Sequence, residues 1–217
     1  MQAVNELRLM IFGYKTDFFD QADQGMNDSL NLREPSCLHA LWADTRAAGF
    51  PMASEQLACS LLRTLASTKV SGNLLELGSG TGLSTAWLLD GMDKSSKLTT
   101  VDNDEVVLNI LRKHLGNDPR LNVSRMDGEE FISSIEGQRF DLIFADTWAG
   151  KYRMLQETLD LLKPGGMYVV DDMLPQPNWP EGHSEKASEL VSTLETDKTL
   201  LVTKLSWASG IIIATKI

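Results

Sequence analysis

Leu74 to Gly82 reads LLELGSGTG, a short apolar strand that runs into a turn with glycine at every second position. Gly78, Gly80 and Gly82 carry no Cβ, so the turn takes positive φ angles and backbone comes close to a ligand lying over the N-terminus of the following helix. Strand, glycine-rich turn and helix in this order suit a nucleotide-like ligand, with Glu76 and Ser79 in the same stretch as further candidate contacts. The dinucleotide fingerprint asks for Gly or Ala at position 83, where this chain has Leu83. The G-x-G-x-G form therefore departs from the nicotinamide pattern. A nicotinamide-dependent oxidoreductase stays a competing reading, although the Tyr/Lys or His pairing of that chemistry is not evident.

Lys97 to Asp102, KLTTVD, is a strand rich in β-branched residues that ends in a carboxylate 24 residues after Gly78. A carboxylate there accepts from both hydroxyls of a ribose or caps the helix over 105–115. Asp102, with Asn103 beside it, is assigned to the ribose and Asp104 to the cap. Asp127 and Gly128, in SRMDGEEFI after the third strand, read equally well as a ligand contact or a helix cap.

From residue 73 onward strand and helix alternate, with strands near 73–77, 97–102, 121–125, 140–145, 167–171, 199–205 and 210–216 and amphipathic helices between the first five. That pattern predicts an α/β fold, a seven-stranded, doubly wound and mostly parallel sheet with helices on both faces. Only Trp207 to Gly210 separates the last two strands. This is too short for a parallel crossover, so they form an antiparallel hairpin. The whole chain reads as one domain, a core over 56–217 preceded by residues 1–55, whose helices near 2–12 and 36–48 form a cap over the ligand edge or the arm of a homodimer.

Composition narrows the function. The 217 residues carry 30 acidic and 20 basic side chains, a net charge of −10, so attraction to a phosphate backbone is absent and nucleic acid is not expected as a partner. No apolar run reaches a membrane span and no basic, hydrophobic leader opens the chain, which predicts a cytoplasmic protein. Cys37 and Cys59 are too few for a disulfide framework and read as buried thiols.

The glycine turn resembles motif I of the class I S-adenosylmethionine-dependent methyltransferases, and further segments resemble the small-molecule O-methyltransferases of the catechol and caffeoyl-coenzyme A type. Phe50-Pro51-Met52 with the helix that follows, and Gly82-Leu83-Ser84-Thr85, are similar to that family's opening helix and turn. The resemblance implies that Met52 and Ser84 contact the cofactor, Ser84 at its methionine carboxylate. FDLIFADTWAGKY, residues 140–152, resembles motif IV, with Asp146 and Trp148 near the cofactor, and VVDDM, residues 169–173, resembles the strand ending that carries an acid pair. The function implied is methyl transfer from S-adenosylmethionine to a small, aromatic hydroxyl acceptor. A non-catalytic protein that binds the same cofactor would share every cofactor residue.

Asp146, Asp171 and Asp172 all fall at the C-terminal ends of neighbouring strands, where their charges repel unless a cation offsets them. Carboxylates with water suit Mg²⁺ or Ca²⁺. Ionising a phenol of pKa near 10 at neutral pH costs roughly 4 kcal/mol, much of which a bound cation supplies. The family's lysine, three residues after the motif IV acid, is Ala149 here; Lys151, two places later, stands with Asp146 among the catalytic candidates or fills the place of an ordinary basic residue before Tyr152. Either the metal alone activates the acceptor, the preferred reading, or the acceptor is not a catechol, or another base serves. His183 is the candidate, provided that LPQPNWPEGH, residues 174–183, folds back over the site; otherwise it is a surface histidine that starts a helix. Trp148, Trp179 and Trp207 are expected at the same edge as an aromatic wall.

Overall fold

The structure, a computed structural model, describes residues 27–28, 32–177 and 179–217. The chain divides into Met1–Arg33 and Glu34–Ile217, and the fold is that of the second unit. The helix expected over 2–12 lies outside the described residues.

Helix α1 (Leu38–Ala47) buries Leu38, Leu41 and Thr45 along one face. Helix α2 (Gln56–Ser67) starts where the Glu55 carboxylate accepts from the Ala58 amide, which satisfies one of the unpaired donors of the first turn. Strand β1 (Asn73–Leu77) then enters the core, and Gly82, at φ +97°, sets off α3 (Leu83–Gly91). This helix is not amphipathic as the sequence pattern suggested. Every residue from Leu83 to Leu89 is buried, because α1 and α2 also pack against this helix.

Strand β2 (Lys97–Asp102), helix α4 (Glu105–Leu115), strand β3 (Leu121–Arg125), helix α5 (Gly128–Ser134) and strand β4 (Phe140–Ala145) follow. Short helix α6 (Leu155–Asp160) leads to β5 (Leu162–Val170), helix α7 (His183–Thr196) and the hairpin of β6 (Leu200–Leu205) and β7 (Ile211–Lys216). The sequence pattern places a strand near 167–171, whereas β5 takes in Lys163-Pro164-Gly165-Gly166 as well. The strand begins earlier, and the register shift between Phe140 and Leu142 on its partner absorbs the irregularity.

The seven-stranded sheet has the order β3-β2-β1-β4-β5-β7-β6. Pairings are parallel from β3 to β5, and β7 runs antiparallel between β5 and β6. β1 and β4, at its centre, are almost wholly buried, as strands covered on both faces must be. Chain direction across the sheet reverses between them, from β1 outward to β3 and from β4 outward to β5. A crevice opens at the carboxyl ends of such strands, and the glycine turn and Asp146 both emerge there. No described helix is long and apolar enough to cross a membrane. Both cysteines are free; Cys59 is buried, whereas Cys37 is only partly so, contrary to its reading as a buried thiol.

Candidate active site

A cleft of about 750 Å³ lies over the ends of β1, β2, β4 and β5, within the range of small-molecule sites. Its wall includes Met52, Gly78, Ser79, Gly80, Asp102 and Asn103 from the sequence-predicted cofactor set. It also includes Asp146, Trp148, Lys151, Asp171, Asp172 and His183. The structure does not bring Asp127 or Gly128 to this wall. The Asp127 carboxylate caps α5, accepting from the Glu129 and Glu130 amides. Glu76, Gly82 and Ser84 also stand off the wall.

The glycine turn is wired internally. The Gly78 and Ser79 amides donate to the Val101 carbonyl at 2.9 and 3.2 Å, and the Gly82 amide donates to Ser79 O at 2.9 Å. The Gly80 amide donates to Asp102 Oδ2 at 2.9 Å. Asp102 Oδ1 accepts from the Asp104 amide at 3.0 Å, while Asp104 caps α4 as expected. A Cβ on Gly78 would stand 2.8 Å from the Asp146 carbonyl, and one on Gly80 would stand 3.0 Å from the Phe50 ring. The close approach that demands glycine is therefore to protein, with the shaped wall left for the ligand. Beneath the turn, Glu76 Oε2 accepts from the Thr85 and Thr100 hydroxyls, each at 2.5 Å, and burial pushes its pKa up. Ser79 Oγ, on the wall, and Ser84 Oγ are buried without a hydrogen-bond partner. The Ser79 hydroxyl and both Asp102 oxygens, each with a lone pair to spare, fit a ligand rich in polar groups.

The loop after β4 is shaped by Gly150 at φ +80°. The Tyr168 hydroxyl donates to its carbonyl at 2.6 Å, and a Cβ there would meet Leu77 at 2.4 Å. The turn buries Ala149 against Gly128 and sends Lys151 inward, where only 4% of it is exposed. Its Nζ donates to the Asp171 carbonyl oxygen at 2.6 Å. Burial lowers the Lys151 pKa, while Asp146, Asp172 and Asp171 pull it back up.

The aspartates do not assemble the metal centre that the sequence suggests. Among the described residues no three His, Cys, Asp or Glu side chains are grouped to hold an ion. Each carboxylate has another partner. Asp146 Oδ2 accepts from Ser54 Oγ at 3.0 Å, Asp171 Oδ1 accepts from Ser209 Oγ and from the Asp172 amide, and Asp172 Oδ2 accepts from Trp179 Nε1 at 2.9 Å. Burial, reinforced by Asp171, pushes Asp146 up to about 8. An acid of ordinary pKa near 3.9 when unfolded that holds its proton to about 8 when folded contributes stability at low pH and loses it as pH rises through that window. Asp146→Asn should therefore melt higher than the ligand-free parent at pH 8 and by a smaller margin at pH 5, which differential scanning calorimetry measures.

The described residues of 174–183 do fold back, with Gln176, Trp179, Pro180 and His183 on the cleft wall. His183 starts α7, as one reading had it, but it is not a surface residue: 6% of it is exposed and it lines the cleft. Its Nε2 lies 3.1 Å from the Tyr152 hydroxyl, and its Nδ1 is buried without a partner. Trp179 stacks on the ring with centroids 4.4 Å apart, and Tyr152 and Trp148 stand edge-on to it at 5.2 and 6.2 Å. Burial, followed by the Lys151 charge, lowers the His183 pKa below 6.5. Trp207 does not line the cleft. Sequence reading assigned no role to Tyr152, Ser54 or Ser209; only Tyr152 carried a signal, its place in the stretch after β4.

Residues 75–173 match the family described as "Methyltransferase domain". The chain is 33% identical over 129 residues to an O-methyltransferase of Aspergillus hancockii, an alignment covering 56% of this chain and 50% of that protein. It spans about half the length of the curated relatives it matches. The fold is similar to the O-methyltransferase from Bacillus cereus solved in complex with SAH, at 20% identity, TM-score 0.74 and coverage of 87% and 94% of the two chains. It is likewise similar to O-methyltransferase TomG from Streptomyces achromogenes in complex with SAM, at 19% identity, TM-score 0.75 and coverage of 87% and 93%. Residues 75–173 thus resemble a methyltransferase domain, and the sheet that carries them has the fold of these O-methyltransferase structures.

Proposed function

We propose that this chain transfers the methyl group of S-adenosylmethionine to a hydroxyl oxygen of a small aromatic acceptor. The observation that carries the reading is the single cleft in which the glycine turn, Ser79 and Asp102 share a wall with Trp148, Tyr152, Trp179 and His183. Internal bonding of the turn amides favours a cofactor without phosphates over a dinucleotide, whose pyrophosphate needs those donors free. The relatives' names and the SAM- and SAH-bound neighbours support the same cofactor.

S-adenosylmethionine, when bound, supplies an electrophilic methyl carbon on a sulfonium: the oxygen–carbon bond forms as the sulfur–carbon bond breaks, leaving a thioether. This chain's residues hold and deprotonate. The aromatic side chains clamp a planar acceptor. Because Nδ1 of His183 is buried, the proton leaves through Tyr152, whose oxygen takes the acceptor's proton while its own passes to His183 Nε2. Holding oxygen and methyl carbon in line supplies on the order of 7–11 kcal/mol, more than the proton transfer does. No step of this scheme needs the divalent cation, and the aspartates expected to hold it accept from Ser54, Ser209 and Trp179.

A non-catalytic cofactor-binding protein would have no use for a histidine–tyrosine pair on the cleft wall. A screen of phenols, catechols and aromatic coenzyme A esters with methyl-labelled S-adenosylmethionine tests the proposal, with EDTA in one arm. Label should pass to at least one class at a rate unaffected by EDTA. No transfer to any class, with cofactor bound, would favour the non-catalytic reading.

A further inference from the structure

We infer that the Lys151 ammonium is the resident cation of this cleft, occupying the electrostatic role of a divalent ion and presenting its free N–H groups to the acceptor oxygen. The inference rests on the methyl-transfer reading for the acceptor's identity, but the placement of the charge does not. Lys151 is buried on the cleft wall, which Asp146, Asp171 and Asp172 also line, and those three acids favour its charged form. An ammonium has three donors and no acceptor. One donor goes to the Asp171 carbonyl oxygen at 2.6 Å, and the other two have no protein acceptor among the described hydrogen bonds.

The loop geometry makes the exchange of cation specific to position 151. Ala149, at the place of the family's lysine, packs against Gly128, where a Cβ would stand 2.6 Å from the Ala149 Cβ, so a long side chain at 149 has no room on that side. Gly150 turns the chain, and the next residue enters the acidic cleft. Burial pushes the Asp146 and Asp171 carboxyls up, and a positive charge beside them offsets part of that cost. A lysine on a rigid turn supplies it without a ligand set, while the bonds from Ser54, Ser209 and Trp179 each engage a single oxygen of Asp146, Asp171 and Asp172. The same ammonium stabilises a developing phenolate, as a metal does when it lowers the cost of ionising a bound oxygen. A lysine serves as a compact charge with rotatable donors.

The test compares the parent with Lys151→Ala and Lys151→Arg, using Mn²⁺ as the probe in calorimetry and electron paramagnetic resonance. S-adenosylhomocysteine binding is the check that each variant is folded, and methyl transfer is measured in EDTA. The parent and Lys151→Arg should bind no Mn²⁺ up to about 1 mM, weak even by the standard of extracellular divalent sites. Lys151→Ala should gain one Mn²⁺ site and lose about tenfold or more in EDTA, a loss that Mn²⁺ partly restores. A parent that binds Mn²⁺ as well as Lys151→Ala does overturns the inference. So does a folded Lys151→Ala that gains no Mn²⁺ site, whatever its rate. The Mn²⁺ measurements need no acceptor, so failure to find methyl transfer leaves them decisive.

Discussion

Gly80→Val should lower affinity for S-adenosylhomocysteine by at least about 100-fold, or about 2.7 kcal/mol, from a low-micromolar starting point. Gly80 sits at φ +49°, where a β-branched residue is strongly disfavoured. Its Cβ would press on the Phe50 ring at 3.0 Å. Its amide also ties the turn to Asp102, the acid assigned to the ribose. One substitution thus strains the turn, displaces an aromatic side chain of the cleft wall and releases the carboxylate. Isothermal titration calorimetry reads the loss, with near-UV circular dichroism as the check on folding. Undiminished affinity would remove the turn from the cofactor site, and binding of NADH by the parent in place of S-adenosylhomocysteine would restore the oxidoreductase reading.

His183→Ala should lose about 10² to 10⁴ in turnover, the contribution of a positioned proton acceptor, while cofactor affinity changes little. Tyr152→Phe should lose a similar amount, and the double variant should be no worse than either single one, because residues that act as a unit are non-additive. The pH profile gives a second reading. His183 must be neutral to accept a proton, and its pKa lies below 6.5 because of burial and Lys151. Turnover in the parent should therefore rise with pH to a plateau, with its midpoint below that of a free histidine, and this limb should vanish in His183→Ala. A bound metal acting alone would leave His183→Ala near the parental rate. That outcome would return the site to the activation preferred on sequence.

Much of the scaffold is legible from residue order because local and global preferences agree there. β1 to β4 occupy the very stretches where β-branched and apolar runs end in turn residues, and the short Trp207–Gly210 link leaves no option but a hairpin. Disagreement arises where packing overrides pattern. α3 is apolar all round because other helices cover it, and Lys163-Pro164-Gly165-Gly166 lies within β5 despite its turn chemistry.

The site was legible where backbone chemistry constrains it and obscure where side-chain direction decides. The glycine spacing and the acid ending β2 point to the cleft from sequence alone. Nothing in DTWAGKY tells that Gly150 adopts a left-handed turn which buries Lys151 and turns Ala149 away. Three acids at strand ends read as a metal site because sequence does not show that Ser54, Ser209 and Trp179 already engage them. His183 is recognisable only once the 174–183 segment is seen to return over the cleft.

Methyl transfer to oxygen is tested most directly by the product itself. With carbon-13 methyl-labelled S-adenosylmethionine, EDTA and a phenolic or catecholic acceptor, nuclear magnetic resonance of the isolated product should place the label on a hydroxyl oxygen, in stoichiometric balance with S-adenosylhomocysteine. Label on nitrogen or carbon, or an acceptor recovered unlabelled from every class offered to the cofactor-bound protein, would contradict the account.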